Sequence, residues 1–140
     1  MRVYLACAMT NPHRDTTAVE EVLRALTASG HEVLTPHVVG EVEQASDHLL
    51  SDRELAQRDL AWLSQADCLV AEVSTPSHGV GIEVMAAVSV GKPVLAMARE
   101  EVRVSRLLAG LPGLTLARYS SPTQAVALVR AFLESIGGKA

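Results

Sequence analysis

Two carboxylates and a run of small hydroxyl residues have the types and spacing to do chemistry. Asp59 falls within a predicted helix, and Glu83 follows a turn of serine, threonine and glycine residues at 74–81. A carboxylate kept ionised at the mouth of a pocket suits a nucleophile. Hydroxyls and free N–H groups at a helix start can hold a phosphate or a sugar. Gly79 and Gly81 let the backbone approach such a ligand closely.

Each of these residues also has a purely structural explanation. Ser77 can be the cap of a helix that follows the turn. The pattern places Glu83 in the first turn of that helix, where an ionised carboxylate complements the helix dipole by ~0.3–1 kcal/mol. Asp59 can be an ordinary solvated helix residue. On residue types alone, both explanations stay open.

Alternating apolar strands and amphipathic helices must position these residues. Strands are predicted at 2–8, 31–35, 67–73, 93–98 and 114–117. Helices are predicted from Thr16 or Thr17 to Gly30, from Ser51 or Asp52 past Leu63, at 79–90, within 99–110 and at 123–136. The first, third and fourth strands are continuously apolar, as strands buried on both faces are. The pattern predicts a single α/β domain over residues 1–140, with a Rossmann-like or flavodoxin-like open sheet of five parallel strands and helices on both faces.

In such a fold, ligands bind at the carboxyl ends of the strands. Glu72 lies near the end of the third strand and His37 follows the second, so both are candidates to face the same cleft. Met9, in the turn after the first strand, is a further candidate for substrate contact. The polar stretch 36–46 is predicted to be a long loop, and long loops in small domains are often functional.

Composition excludes several classes of function. A net charge of −4 and 3% aromatic residues argue against a polynucleotide-binding surface. No apolar run is long enough for a membrane span, and the first residues lack a secretory signal. Cys7 and Cys68 are predicted to be buried, reduced thiols, and the histidines lack metal-ligand spacing. We therefore expect a cytoplasmic protein without a metal or an organic cofactor.

The same residues carry a family resemblance. The stretch from Asp59 to Glu83, DLAWLSQADCLVAEVSTPSHGVGIE, is similar to the 2'-deoxynucleoside 5'-phosphate N-hydrolases, a branch of the nucleoside 2-deoxyribosyltransferase superfamily. The resemblance continues to Gly91-Lys92-Pro93 and, more weakly, includes Tyr4 and the segments at 34–38 and 103–105. Together these segments cover most of the chain.

The resemblance implies a retaining N-glycosidase without a cofactor. Glu83 would attack C1' of a deoxyribose, and Asp59 would position the sugar or protonate the departing base. Tyr4 would orient the carboxylate. Ser77 and, from the neighbouring subunit of a homodimer, Ser105 would hold the 5'-phosphate. Retaining glycosidases use two carboxylates in this way, one as the nucleophile and one beside the leaving group.

The chain departs from the family pattern in the turn after the first strand. There the family has a Gly-Ser-Ile-Arg type of sequence, whereas this chain has Cys7-Ala8-Met9-Thr10-Asn11, with Arg14 nearby. The leading hypothesis is hydrolysis of 2'-deoxynucleoside 5'-monophosphates to free base and 2-deoxyribose 5-phosphate through a glycosyl-Glu83 intermediate. The alternatives are a transferase that exchanges bases and a non-catalytic nucleotide-binding domain.

Overall fold

Five parallel strands form one sheet in the computed structural model, which describes residues 1–38 and 47–138. The strands are β1 (Arg2–Ala6), β2 (Glu32–Val33), β3 (Cys68–Glu72), β4 (Val94–Arg99) and β5 (Leu114–Tyr119). Their order across the sheet is β2-β1-β3-β4-β5. This is the flavodoxin-like order of an open parallel sheet, so the predicted fold class is confirmed.

Helices connect the strands on both faces. Those in the described ranges are α1 (Thr17–Ala28), α2 (Asp52–Gln65), α3 (His78–Ser89), α4 (Arg106–Ala109) and α5 (Pro122–Gly137). A capping box starts α2 where the sequence predicted a helix start. The Ser51 hydroxyl accepts the Glu54 N–H at 3.3 Å, and the Glu54 carboxylate accepts the Ser51 N–H at 2.9 Å.

The sheet separates two hydrophobic layers. Helices α1 and α5 cover one face, where they pack on Leu5 and Val70 among other strand residues. Helices α2 and α3 cover the opposite face, which includes Tyr4, Leu69 and Ala71. Side chains alternate between the faces of a strand, so each strand contributes to both layers. This confirms that the apolar strands are buried on both sides.

Several local predictions differ from the structure. β1 ends at Ala6 instead of residue 8, and β5 extends to Tyr119 instead of ending at residue 117. β2 ends at Val33 instead of residue 35 because the Thr35 side chain takes over the pairing with β1: its hydroxyl donates to the Leu5 carbonyl at 2.6 Å and accepts the Leu5 N–H at 2.9 Å. Thr16 occupies the N-cap position of α1, but its hydroxyl donates to the Glu20 carboxylate at 2.7 Å instead of accepting a backbone N–H.

The predicted long loop begins with a turn of 3-10 helix at Pro36–Val38. Its remainder, residues 39–46, lies outside the described residues.

The connections leave the sheet in opposite directions at one place, between β1 and β3. From β1 the chain passes through α1 to β2 on one side, and from β3 it passes through α3 to β4 on the other. A crevice outside the carboxyl ends of the strands follows from this reversal, and it is where such folds bind ligands.

Candidate active site

Glu83 lies in the second turn of α3, so its predicted place in the first turn was wrong. The helix begins at His78 because the Ser77 hydroxyl accepts the N–H of Val80 at 3.3 Å and caps the chain there. The predicted Ser77 cap is therefore confirmed, and Gly79 and Gly81 both lie within the helix, as the predicted range of 79–90 has them. At this depth the helix dipole contributes little to a carboxylate, because its effect falls off within the first turn.

A short hydrogen bond joins β1 to α3 at Glu83. The Tyr4 hydroxyl donates to Oε1 of Glu83 at 2.6 Å, a distance typical of a hydroxyl bound to a carboxylate. Tyr4 is only 2% exposed and packs in the layer under α2 and α3. This contact fixes one carboxylate oxygen and leaves Oε2 available to a ligand.

Burial raises the pKa of Glu83 to about 7 from its ordinary value of 4.5. The hydrogen bond from Tyr4 acts in the opposite direction, and the negative charge of Asp59 adds to the increase. The pKa of Tyr4 is raised well above its usual range, first by burial and then by Glu83, so the phenol stays a donor. Glu83 therefore changes charge near neutral pH, where catalytic carboxylates are often tuned.

Asp59 lies beside this pair on α2, where its charge affects the pKa of both Tyr4 and Glu83. It is not a free surface aspartate. Oδ1 of Asp59 accepts Nε of Arg58 at 2.9 Å and pairs with its Nη2 at 2.8 Å. The structure therefore brings together Tyr4, Asp59 and Glu83 as the sequence predicted, although their catalytic roles stay predictions.

Sequence reasoning missed Arg58. Besides Asp59, its guanidinium contacts Oδ1 of Asp47 at 2.6 Å and lies 4.5 Å from the centre of the Trp62 ring. The signal was present as an arginine and a tryptophan four residues apart, which share one face of a helix.

A cavity of about 670 Å³ lies beside α3, and Glu83 is not among the residues that line it. Ser77 and Gly81 line it from the start of the helix, and Arg103, Ser105 and Leu107 line it from the segment before and within α4. The two serines that the resemblance assigned to phosphate binding thus face the same space. Ser77 is half-buried and Ser105 is exposed.

The two glycines of α3 are not required by the protein's own packing. A side-chain carbon at Gly81 would meet nothing within 4 Å, and one at Gly79 would only touch Ser77 Oγ at 3.8 Å. Neither has a positive φ. The open space at Gly81 agrees with the prediction that a ligand approaches the backbone here, which stays a prediction.

Met9, a further predicted contact residue, is not brought to Glu83 by any described contact. Met9 packs against the core layer of α1 and α5, and its sulfur lies 3.5 Å from Nη1 of Arg14. Arg14 also donates to the carbonyls of Ala8 at 2.9 Å and Val38 at 3.3 Å, so it ties two turns together. The side chain of His37 lies outside the described residues.

Glu72, the other candidate at a strand end, is 3% exposed and points away from Glu83. Its Oε1 accepts the hydroxyl of Tyr119 at 3.0 Å together with the N–H and hydroxyl of Ser74. Ser74 Oγ in turn accepts the N–H of Arg99 at 2.8 Å. Glu72 thus fastens the carboxyl ends of β3, β4 and β5 to one another.

Residues 1–38 and 47–138 contain no cluster of three or more histidine, cysteine, aspartate or glutamate side chains that could hold a metal ion. Within the same ranges, no helix has the length and hydropathy required to cross a membrane.

Comparison with known proteins identifies relatives of this chain. The family model described as nucleoside 2-deoxyribosyltransferase matches residues 3–124. A Thermofilum pendens protein, provisionally named a 2'-deoxynucleoside 5'-phosphate N-hydrolase, is 39% identical over 131 residues, which are 90% of each chain. The 5-hydroxymethyl-dUMP N-hydrolase of Mus musculus is 39% identical over 101 residues, which are 71% of this chain and 58% of the mouse protein.

Solved structures share the fold. A Clostridium botulinum CMP N-glycosidase superposes with a TM-score of 0.70 and 20% identity, covering 95% of this chain and all of the other. A 2-deoxyribosyltransferase from Bacillus psychrosaccharolyticus gives a TM-score of 0.63 at 20% identity and covers 90% of both chains. At this identity the likeness concerns the fold alone.

Proposed function

The chain belongs to the nucleoside 2-deoxyribosyltransferase family, and on that basis we propose that it hydrolyses the N-glycosidic bond of 2'-deoxynucleoside 5'-monophosphates. N-hydrolase names among relatives that match most of the chain support an N-glycosidase. The observation that carries the proposal is the Tyr4 hydroxyl 2.6 Å from Glu83 Oε1, with Asp59 beside the pair.

In the proposed reaction, ionised Glu83 attacks C1' of the sugar while the base departs with the electrons of the glycosidic bond. A water molecule then adds its oxygen to C1' and displaces the Glu83 carboxylate, which frees 2-deoxyribose 5-phosphate and restores Glu83. The proton that the water gives up balances the one that the departing base takes up. C1' develops positive charge as the bond breaks, so a close carboxylate stabilises it. Tyr4 holds Oε1 and thereby aims Oε2 at the sugar. Asp59 either positions a sugar hydroxyl or protonates the base.

A panel of the four deoxynucleoside monophosphates tests this proposal, with base and sugar phosphate separated and identified. We expect release of free base by the wild type and a loss of at least ~10³-fold in Glu83→Gln. Mass spectrometry of acid-quenched wild-type enzyme should reveal one deoxyribose phosphate attached per chain. Absence of base release from all four nucleotides would overturn the proposal.

Base exchange is the second candidate function, because a glycosyl-Glu83 ester can be resolved by any nucleophile that reaches C1'. The family to which the chain belongs is named for this transfer. Adding a second free base to the same assay separates the two reactions. A new nucleotide identifies the transferase, and unchanged release of sugar phosphate identifies the hydrolase.

We further propose that the enzyme is a cytoplasmic homodimer. Large apolar side chains are exposed around the cavity beside α3: Ile82 is 63% exposed, Met85 49% and Leu107 80%. A second copy can cover this face symmetrically, with α3 of one chain against Leu107 of the other. The buried, unpaired cysteines agree with a reducing compartment.

The oligomeric state tests this surface. Leu107→Asp is expected to convert a dimer to a monomer in sedimentation experiments. Leu49→Asp alters an equally exposed leucine outside the cavity and is the matched control. A wild-type protein that sediments as a monomer at every concentration would contradict the proposal.

In this dimer, Ser105 of one chain would help Ser77, Gly79 and Gly81 of the other to hold the 5'-phosphate. A mixing experiment tests this sharing of residues between chains. Glu83→Gln and Ser105→Ala homodimers are each expected to be weak or inactive. After subunit exchange, a mixed dimer has one site with both native residues, so activity should rise. No rise, with exchange confirmed by mass spectrometry, would place Ser105 outside the neighbouring site.

A further inference from the structure

Arg58 is fixed from three sides. Its Nη1 lies 2.6 Å from Oδ1 of Asp47, and its Nε and Nη2 lie 2.9 and 2.8 Å from Oδ1 of Asp59. The guanidinium also lies over the Trp62 ring at 4.5 Å. Its side chain is about one-fifth exposed. A planar cation held by an ion pair on each side and an aromatic ring is a rigid support.

The contact with Arg58 determines which oxygen of Asp59 can bind a ligand. Both described contacts from Arg58 end on Oδ1 of Asp59, so Oδ2 is the oxygen that remains for a ligand. An arginine side chain carries only hydrogen-bond donors, so Asp59 meets Arg58 as an acceptor through Oδ1.

The same ion pair influences Glu83. The negative charge of Asp59 opposes ionisation of Glu83. At Tyr4, the hydrogen-bond partner of Glu83, the charges of Asp59 and Arg58 shift the pKa of the phenol in opposite directions, so the two charges oppose each other beside this pair. The other described groups that face Glu83 are Tyr4 from β1 and Cys7 just after it. Among the remaining described charges on strands that pack against α3, Glu72 on β3 points to the opposite face of the sheet, and Arg99 on β4 pairs with Asp15 and Glu101.

We propose that Arg58 is a positioning residue that presents Asp59 as a fixed hydrogen-bond acceptor for a hydroxyl of the bound sugar and offsets the Asp59 charge beside Glu83. The part of this inference that concerns the sugar rests on the proposed function. The part that concerns charge does not, so the two can be tested separately.

The charge part is tested in the resting protein by NMR. The ¹³C carboxyl signal of Glu83 is assigned as the one missing in Glu83→Gln, and its titration midpoint is followed. Arg58→Gln is expected to raise this midpoint by about half a pH unit or more, because Asp59 loses its counter-charge. Arg58→Met, which keeps an apolar stem against Trp62, should show the same rise.

Two control variants sharpen the measurement. Arg53→Gln removes an exposed charge one turn earlier on α2 and should leave the midpoint unchanged. Arg58→Lys keeps the positive charge but loses the planar fork, so its midpoint should stay near that of the wild type. If the midpoint in folded Arg58→Gln and Arg58→Met equals that of the wild type, the inference is wrong.

The positioning part is tested by the kinetics of the same variants. Arg58→Lys is expected to lower kcat/KM by ~10-fold or more because Asp59 is misplaced. The pH dependence of kcat/KM should stay that of the wild type. Arg58→Gln should in addition move the acid limb of kcat/KM to higher pH. If the wild type cleaves no nucleotide but Arg58→Gln still raises the Glu83 titration midpoint, the proposed function is refuted and the charge effect stands. Normal kinetics in both variants would refute the positioning role.

Discussion

We expect the substitution Glu83→Gln to stabilise the folded protein at neutral and alkaline pH. Burial raises the pKa of Glu83 to about 7, whereas an unfolded chain has the ordinary value of 4.5. An acid whose pKa is raised by folding does not lower the free energy of unfolding below about pH 4.5, where it is protonated in both the folded and the unfolded chain. The reduction in unfolding free energy grows as the pH rises to about 7 and is complete above it.

The size of the effect follows from the same values. One pKa unit corresponds to ~1.4 kcal/mol, so a pKa of about 7 in place of 4.5 is worth about 3 kcal/mol at most. Glu83 is half-buried, and solvent screening reduces this to about 1–2 kcal/mol. Glutamine has nearly the same shape, and its carbonyl can still accept the Tyr4 hydroxyl.

The assay is chemical denaturation at about pH 5 and about pH 8.5, on either side of the Glu83 pKa. We expect the gain in unfolding free energy to be markedly larger at about pH 8.5. Glu32→Gln, which neutralises an exposed carboxylate on β2, is the matched control. A gain of equal size at both pH values, or no gain at the higher one, would refute the reasoning.

Three further predictions follow from the hydrogen bonds and the burial. Tyr4→Phe removes the donor that lowers the Glu83 pKa, so the acid limb of the kcat/KM profile should move to higher pH by about one unit. Tyr119→Phe takes one of the donors from buried Glu72 and should cost about 1–3 kcal/mol in denaturant unfolding. Burial raises the pKa of the Cys7 thiol to about 11, so its alkylation at about pH 8 should be slow until the protein unfolds.

Each of these has a contrary result. A pH profile in Tyr4→Phe that matches the wild type would mean that the phenol does not tune Glu83. An unchanged unfolding free energy in Tyr119→Phe would mean that Ser74 alone satisfies Glu72. Rapid alkylation of Cys7 in the native protein would show that the end of β1 opens to solvent.

The strands could be predicted where the sheet itself imposes the pattern. β1, β3 and β4 are buried on both faces, which requires continuous apolar runs that are visible in the sequence. β2 is an edge strand with a single neighbour, and its end depends on whether Thr35 pairs through its backbone or its side chain. A sequence pattern does not distinguish these two possibilities.

The sequence could predict that Tyr4, Asp59 and Glu83 come together, but it could not predict Arg58 or the energies of their contacts. The sequence predicted that Ser77 would cap α3. It placed Glu83 in the first turn, however, whereas a helix that begins at His78 has Glu83 in its second turn. The Glu83 pKa depends on burial against Tyr4, which is 79 residues away. The Asp59 ion pair depends on Arg58 turning towards it instead of towards solvent. Such non-local contacts have no periodicity to reveal them.

The helix cap at Ser77 also has a consequence for selectivity. A hydroxyl has one proton and two lone pairs, and the Val80 N–H already engages the oxygen as an acceptor. Its proton and one lone pair remain for a ligand. Ser77 can therefore still donate its proton to an oxygen of a ligand, but the helix cap leaves it only one lone pair for a group that donates.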